Sequence, residues 1–238
     1  MTSPFSLWVY LSSTPLLWLT LTLVVWLGAD WLARKAGRNP LVNPVLIAIV
    51  AVGTVLLVTG TPYAQYFAGA QFVHFLLGPA IVAIAVPLVL NRTIVRANLL
   101  PLLAALVAGA VTAIVSVLLL GRLFGLPGNI LVALAPKSVT AGVAMGISEQ
   151  LGGDPSLTAV LVILTGITGA VMVTPLMNAL KITDYAARGF AAGLTSHGIG
   201  TARAFAVDPV AGTFAGIAMG LNAVLTSVLA PVLVGWLL

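Results

Sequence analysis

Lys137, Ser138 and Thr140 stand directly behind Pro136, inside a run of residues that is otherwise apolar. The proline frees backbone groups and the ammonium needs partners, neither of which hydrocarbon satisfies, so something polar must meet this stretch. If a half-helix starts after the break, its free N–H groups and positive dipole end point into it. Lysine, hydroxyls and a helix N-terminus together make an anion site. A second break carries Ser196, His197, Gly198, Thr201 and Arg203, with Gly193 and Gly200 loosening the backbone around it. An arginine there can hold a carboxylate through two parallel hydrogen bonds, and a histidine can titrate near neutral pH. The expected substrate-binding set is therefore Lys137, Ser138, Thr140, Ser196, His197, Gly198, Thr201 and Arg203, with His197 and Glu149 as proton-coupling candidates. The plainer readings are a Lys137–Glu149 ion pair held for structure alone and an Arg203 that faces headgroups.

The elements that must position these groups follow from composition. Of 238 residues, 61% are hydrophobic and only 6% charged, which leaves too little polar surface to cover a soluble globule. Apolar runs of about 17 to 25 residues recur along the chain, the length a helix needs to cross a hydrocarbon core, and strict alternation is missing. The predicted fold class is an all-α polytopic membrane protein, with about six full spans plus two broken or re-entrant helical hairpins in an inverted repeat. The net charge of +5 sits mostly in short loops, where it orients the chain rather than binding nucleic acid. With no cysteine, disulfides, thiolate metal sites and thiol catalysis are excluded.

In chain order, Leu7 to Ala29 reads as a first span, retained rather than cleaved because no basic segment precedes it. Arg34, Lys35 and Arg38 then place a loop in the cytoplasm and the N-terminus outside. Asn43 to Val58 returns outward. Thr59 to Gln71, uncharged and carrying Tyr63, Tyr66 and Phe67, is expected to be an external interfacial loop. Phe72 to Leu90 goes inward, Arg92 and Arg96 mark a second cytoplasmic loop, and Leu99 to Leu120 goes outward.

Beyond this point a unit occurs twice: a polar break, a small-residue helix, Asp-Pro, an apolar span, and a proline late in that span (Pro175, Pro231). The organisation expected is a four-span scaffold and oligomerisation region over 1–128 and a core over 129–238, made of repeats 129–185 and 186–238. Re-entry of the first broken stretch from the outer face leaves Lys181 and Arg188 in the cytoplasm, and so makes the two units inverted. Single broken spans are the other geometry. Asp154 and Asp208, each before a proline, read as helix N-caps. Gly142/Gly146, Gly189/Gly193 and Gly212/Gly216/Gly220 keep four-residue spacing and are expected to form flat packing strips.

No paired carboxylates, P-loop or dinucleotide-binding glycine pattern is found, so neither an enzyme nor a cofactor is expected. Ala-Leu-Ala-Pro-Lys-Ser-Val-Thr at 133–140, Ile-Thr-Gly at 167–169, Ser-His-Gly-Ile-Gly-Thr-Ala-Arg-Ala at 196–204 and Leu-Leu-Gly-Pro-Ala at 76–80 resemble the LrgB/CidB family of bacterial membrane proteins. That family was named for holin/antiholin-like regulators of murein hydrolases and lysis, and includes the C-terminal half of the plastid glycolate/glycerate transporter. The resemblance implies a place in the bacterial cytoplasmic membrane, a small-carboxylate substrate and a small LrgA/CidA-type partner protein. Two readings result. One is a secondary transporter or facilitator of glycolate-, glycerate-, pyruvate- or lactate-type anions, elevator-like and proton-coupled, working as a homodimer. The other is a regulator of murein hydrolase activity and lysis that carries no substrate.

Overall fold

A computed structural model describes residues 14–37, 39, 42–76, 79, 89, 92–97 and 99–238. Helix is the only regular structure among these residues, and four helices are long and apolar enough to cross a membrane. The chain divides into two compact units, 1–83 and 84–238.

The first unit contains α1 (Pro15–Lys35), α2 (Pro44–Thr59) and α3 (Tyr63–Phe75). Helix α1 runs past the predicted end of its span: Arg34 pairs with Asp30 one turn back at 3.0 Å, and Lys35 lies over the Trp31 ring. Such i,i+4 neighbours let the cations stay helical. The expected loop around Tyr63, Tyr66 and Phe67 is instead helical. Tyr66 meets Trp18 edge to face, its hydroxyl is 3.1 Å from Thr22 Oγ1, and a side-chain carbon on Gly69 would strike the backbone of α1. The close α1–α3 approach at Gly69 converts an uncharged aromatic loop into a packed helix. The start of the Leu7 to Ala29 span, the Arg38 reading and most of the Phe72 to Leu90 span lie outside the described residues.

The second unit contains the short α4 (Arg92–Ala97), α5 (Leu99–Leu123), α6 (Gly128–Leu134), α7 (Ala141–Gln150), α8 (Pro155–Ala179), α9 (Tyr185–Val207) and α10 (Pro209–Leu237). Asp154, Asp184 and Asp208 cap α8, α9 and α10, the Asp154 and Asp208 carboxylates each accepting from two backbone N–H groups in the first turn and Asp184 from that of Ala187. Proline follows Asp154 and Asp208 directly, where its missing N–H costs nothing.

Both broken stretches turn back on themselves. From Ala133 to Gly153 a straight helix would travel about 30 Å. A side-chain carbon on Gly153 would nevertheless lie 2.8 Å from Val132 Cγ1 and 3.3 Å from the Ala133 nitrogen. Helices α6 and α7 therefore form a hairpin with its tip at Pro136 to Thr140. In α9 the helical path breaks at Ser196 (φ −128°, ψ 15°) and His197 (φ 42°, ψ −133°). Gly189 abuts Ala211 and Gly193 abuts Ala215 with the same spacing, so the first half of α9 runs parallel to the start of α10. The second half must return, and Ala192, Ala204, Ala211 and Ala215 close together in one cluster.

The hairpins enter from opposite ends. Leu131 of α6 abuts Gly121 near the end of α5, and the Arg122 guanidinium donates to the Leu237 carbonyl, placing the C-terminal ends of α5 and α10 at one level. The first hairpin packs there with Ile114, Leu118, Ala230 and Val234. The second packs at the other end, against Leu102, Leu106, Phe214 and Ala218. Helix α5 thus supports both hairpins within one unit. The expected glycine strips divide: Gly189 and Gly193 touch the α10 backbone and Gly212 meets the Phe205 ring, whereas Gly142, Gly146 and Gly220 have no neighbour within 4 Å that an added carbon would meet among the described residues.

Candidate functional site

The two tips meet about midway along α8. Lys137 from the first hairpin, and Thr195 and Ser196 from the second, line one open cavity of about 400 Å³ together with Leu161, Leu164, Thr165, Thr168 and Gly169 of α8. Pro136 is fully buried and leaves the backbone free to turn. The Lys137 ammonium then donates to the Ala113 carbonyl of α5 at 3.1 Å. Among the described residues no carboxylate lies within ion-pair distance of it. Glu149 sits exposed in the last turn of α7, at the base of the hairpin rather than its tip. An ammonium held by one neutral carbonyl beside four hydroxyl groups can donate its remaining N–H bonds to an anion in the cavity.

The second tip is fixed by its own bonds. Ser196 is fully buried, with its Oγ 3.2 Å from Thr195 Oγ1, and Thr195 donates to the Ala191 carbonyl. A carbon added at Gly169 would overlap Ser196 Oγ, so that glycine makes room for the tip. His197 has a positive φ, which is uncommon outside glycine. Its Nε2 is 3.0 Å from the Val162 carbonyl, which only accepts, so Nε2 is the donor. A carbon at Gly166 would come within 2.6 Å of the imidazole ring. Thr201 Oγ1 donates to the His197 carbonyl at 2.8 Å. His197 and Thr201 thus hold the tip against α8 and outside the cavity lining. Gly198 is exposed and nearest to Met219 Sδ.

The remaining expected residues lie apart. Ser138 is buried but contacts Asn222 on α10, and Thr140 opens α7 without a side-chain capping bond. Arg203 lies near the base of the second hairpin, where it lines a narrow void with Tyr185 and Arg188. Arg188 reaches the Asn178 side chain there. Lys137 and Ser196 are the expected residues that share the cavity.

Sequence reasoning missed four groups. Thr165 and Thr168 look like ordinary span threonines, whose hydroxyls can satisfy the preceding turn, as Thr165 does with Leu161. Thr195 falls one residue short of the motif. Asn222, wholly buried in an apolar helix, was the readable signal, because a buried amide demands partners. An apolar groove of about 510 Å³ along α5 and the first half of α9, from Asp184 to Thr195, shares Thr195 with the Lys137 cavity.

An all-helical membrane protein whose two opposed re-entrant hairpins bring a lysine and hydroxyls to the middle of a span is the class this geometry defines. Within that class, the profile of the LrgB-like family matches residues 22–236, and the chain belongs to that family. It is 35% identical over 219 residues to the holin-like protein CidB of Staphylococcus aureus, covering 92% of this chain and 95% of that one. The CidB protein of Staphylococcus epidermidis is likewise 35% identical over 218 residues, covering 92% and 95%. The uncharacterized protein YwbG of Bacillus subtilis is 33% identical over 219 residues, covering 92% and 97%. No solved structure matches the chain.

Proposed function

We propose that this protein is a secondary transporter or facilitator of small monocarboxylates of the glycolate, glycerate, pyruvate or lactate type. One observation carries the reading: Lys137 and Ser196, brought from opposite ends of the unit, line one cavity with three threonines. Opposed hairpins meeting at mid-depth are how inverted-repeat transporters expose one site alternately to two sides. The ammonium would neutralise the carboxylate, and the Thr165, Thr168, Thr195 and Ser196 hydroxyls would bind its oxygens or an adjacent hydroxyl or carbonyl. The positive-inside pattern of Arg34, Lys35, Arg92 and Arg96 supports an N-terminus outside the cytoplasmic membrane, with the first hairpin entering from the external face. A small LrgA/CidA-type membrane protein is the proposed partner.

A second reading is regulation of murein hydrolase activity and lysis without transport, and the holin-like naming of the Staphylococcus relatives supports its holin-like part. Uptake of labelled pyruvate and glycolate into liposomes containing the purified protein, with and without an LrgA/CidA-type protein, separates the two. Saturable uptake competed by unlabelled monocarboxylates is expected. Absence of uptake under both conditions, together with altered autolysis in cells lacking the protein, would leave the regulatory reading standing.

A further inference from the structure

Asn222 ties the two hairpin tips to each other. It sits midway along α10, has no solvent exposure, and is surrounded in sequence by apolar residues. Its side-chain nitrogen lies 2.9 Å from the Leu194 carbonyl, at the end of the first half of α9, and 3.3 Å and 3.4 Å from Oγ and the backbone oxygen of Ser138. An amide has two N–H bonds, so one serves Leu194 and the other is shared between the two oxygens of Ser138. The orientation is set from the far side: Thr226 Oγ1, one turn further along α10, donates to Asn222 Oδ1 at 3.1 Å.

The partners of Asn222 are sequence neighbours of the cavity wall. Ser138 follows Lys137, and Leu194 precedes Thr195 and Ser196. One side chain therefore holds at a fixed separation the ammonium contributed by one hairpin and the hydroxyls contributed by the other. We infer that Asn222 is the positioning residue of the anion site, linking the tips so that neither can withdraw without releasing its bond to the other. Withdrawal of either tip would leave a buried N–H unpaired, and that cost opposes independent opening. The inference rests on the transport reading for its consequence, but the link itself can be measured without transport.

The chain has no native cysteine, so thiol access can be read at single introduced sites. Val139→Cys and Leu194→Cys report the two tips, and Ala230→Cys, equally buried on α10, is the control. Labelling with N-ethylmaleimide is followed in the full protein reconstituted in liposomes. Asn222→Ala is expected to speed labelling at both tips about tenfold, the scale of one lost buried hydrogen bond, while Ala230→Cys stays unchanged. Thr226→Val, which keeps side-chain shape and removes only the orienting hydroxyl, is expected to give a smaller rise at both tips. It carries the test if Asn222→Ala does not elute as a folded species. A rise at one tip alone, an equal rise at the control, or no rise in either folded variant overturns the link. In proteoliposomes that transport, Asn222→Ala should raise the half-saturating substrate concentration. Absence of uptake in the unsubstituted protein would overturn the transport reading, and labelling would still decide the link.

Discussion

Lys137 is an expensive residue at the middle of a membrane unit, and among the described residues its hydrogen-bond partner is the neutral Ala113 carbonyl. A lysine that only filled space there could be exchanged for methionine of similar length at little cost. If the ammonium holds a carboxylate, Lys137→Met is expected to lower the uptake rate about tenfold or more, the scale of a lost charge-assisted hydrogen bond. Lys137→Arg should not restore it, because the planar guanidinium cannot replace a compact ammonium directed at Ala113. Initial rates in liposomes, normalised to reconstituted protein, check both. Among the hydroxyls, Thr158 and Ser148 illustrate the structural alternative: their side chains are buried and bond to each other at 2.7 Å, joining α7 to α8 away from the cavity.

At the scale of elements, the glycines decide where backbones touch. Gly193 lies against the backbone of Ala215, whereas the space around Gly142 is open within 4 Å. Gly193→Ala is therefore expected to destabilise by about 1–3 kcal/mol, the usual cost of overpacking a close contact. Gly142→Ala should be neutral or stabilise by up to about 1 kcal/mol through helix propensity. Thermal unfolding of the two variants in detergent, compared with the parent, tests the contrast. The same close approach explains why α9 bends sharply at Ser196 and His197. Its first half is pinned to α10, so the chain can reach the Asp208 cap only by turning back.

At the scale of the molecule, the second unit is organised by opposition. Helix α8 starts at the base of the first hairpin and ends near the base of the second, so Ser156 and Thr183 belong to opposite ends. Both are exposed. With Ser156→Cys and Thr183→Cys introduced singly, a membrane-impermeant maleimide is expected to label one from outside intact cells and the other only after the inner face is opened. Labelling of both from the same side would refute the inverted arrangement of the hairpins. Ser156 is expected to be the external one, following the distribution of cations in the early loops.

The sequence by itself determined the membrane class, the two breaks and the aspartate caps, because hydropathy, Pro136-Lys137 and Asp-Pro are local signals that short-range physics reads directly. It also made Lys137 a candidate, since a cation in a long apolar run is conspicuous whatever surrounds it. Only the tertiary structure decided which expected residues share a wall. Ser196 joins Lys137, while His197 turns to Val162 and Arg203 lies with Arg188 at a hairpin base. Those outcomes depend on where α9 breaks, at Ser196 and His197, and on how the chain then turns back, which periodicity does not encode. The helical state of Tyr63 to Phe75 and the role of Asn222 were hidden for the same reason: each is fixed by a partner far along the chain, α1 for the aromatics and the two hairpin tips for the amide.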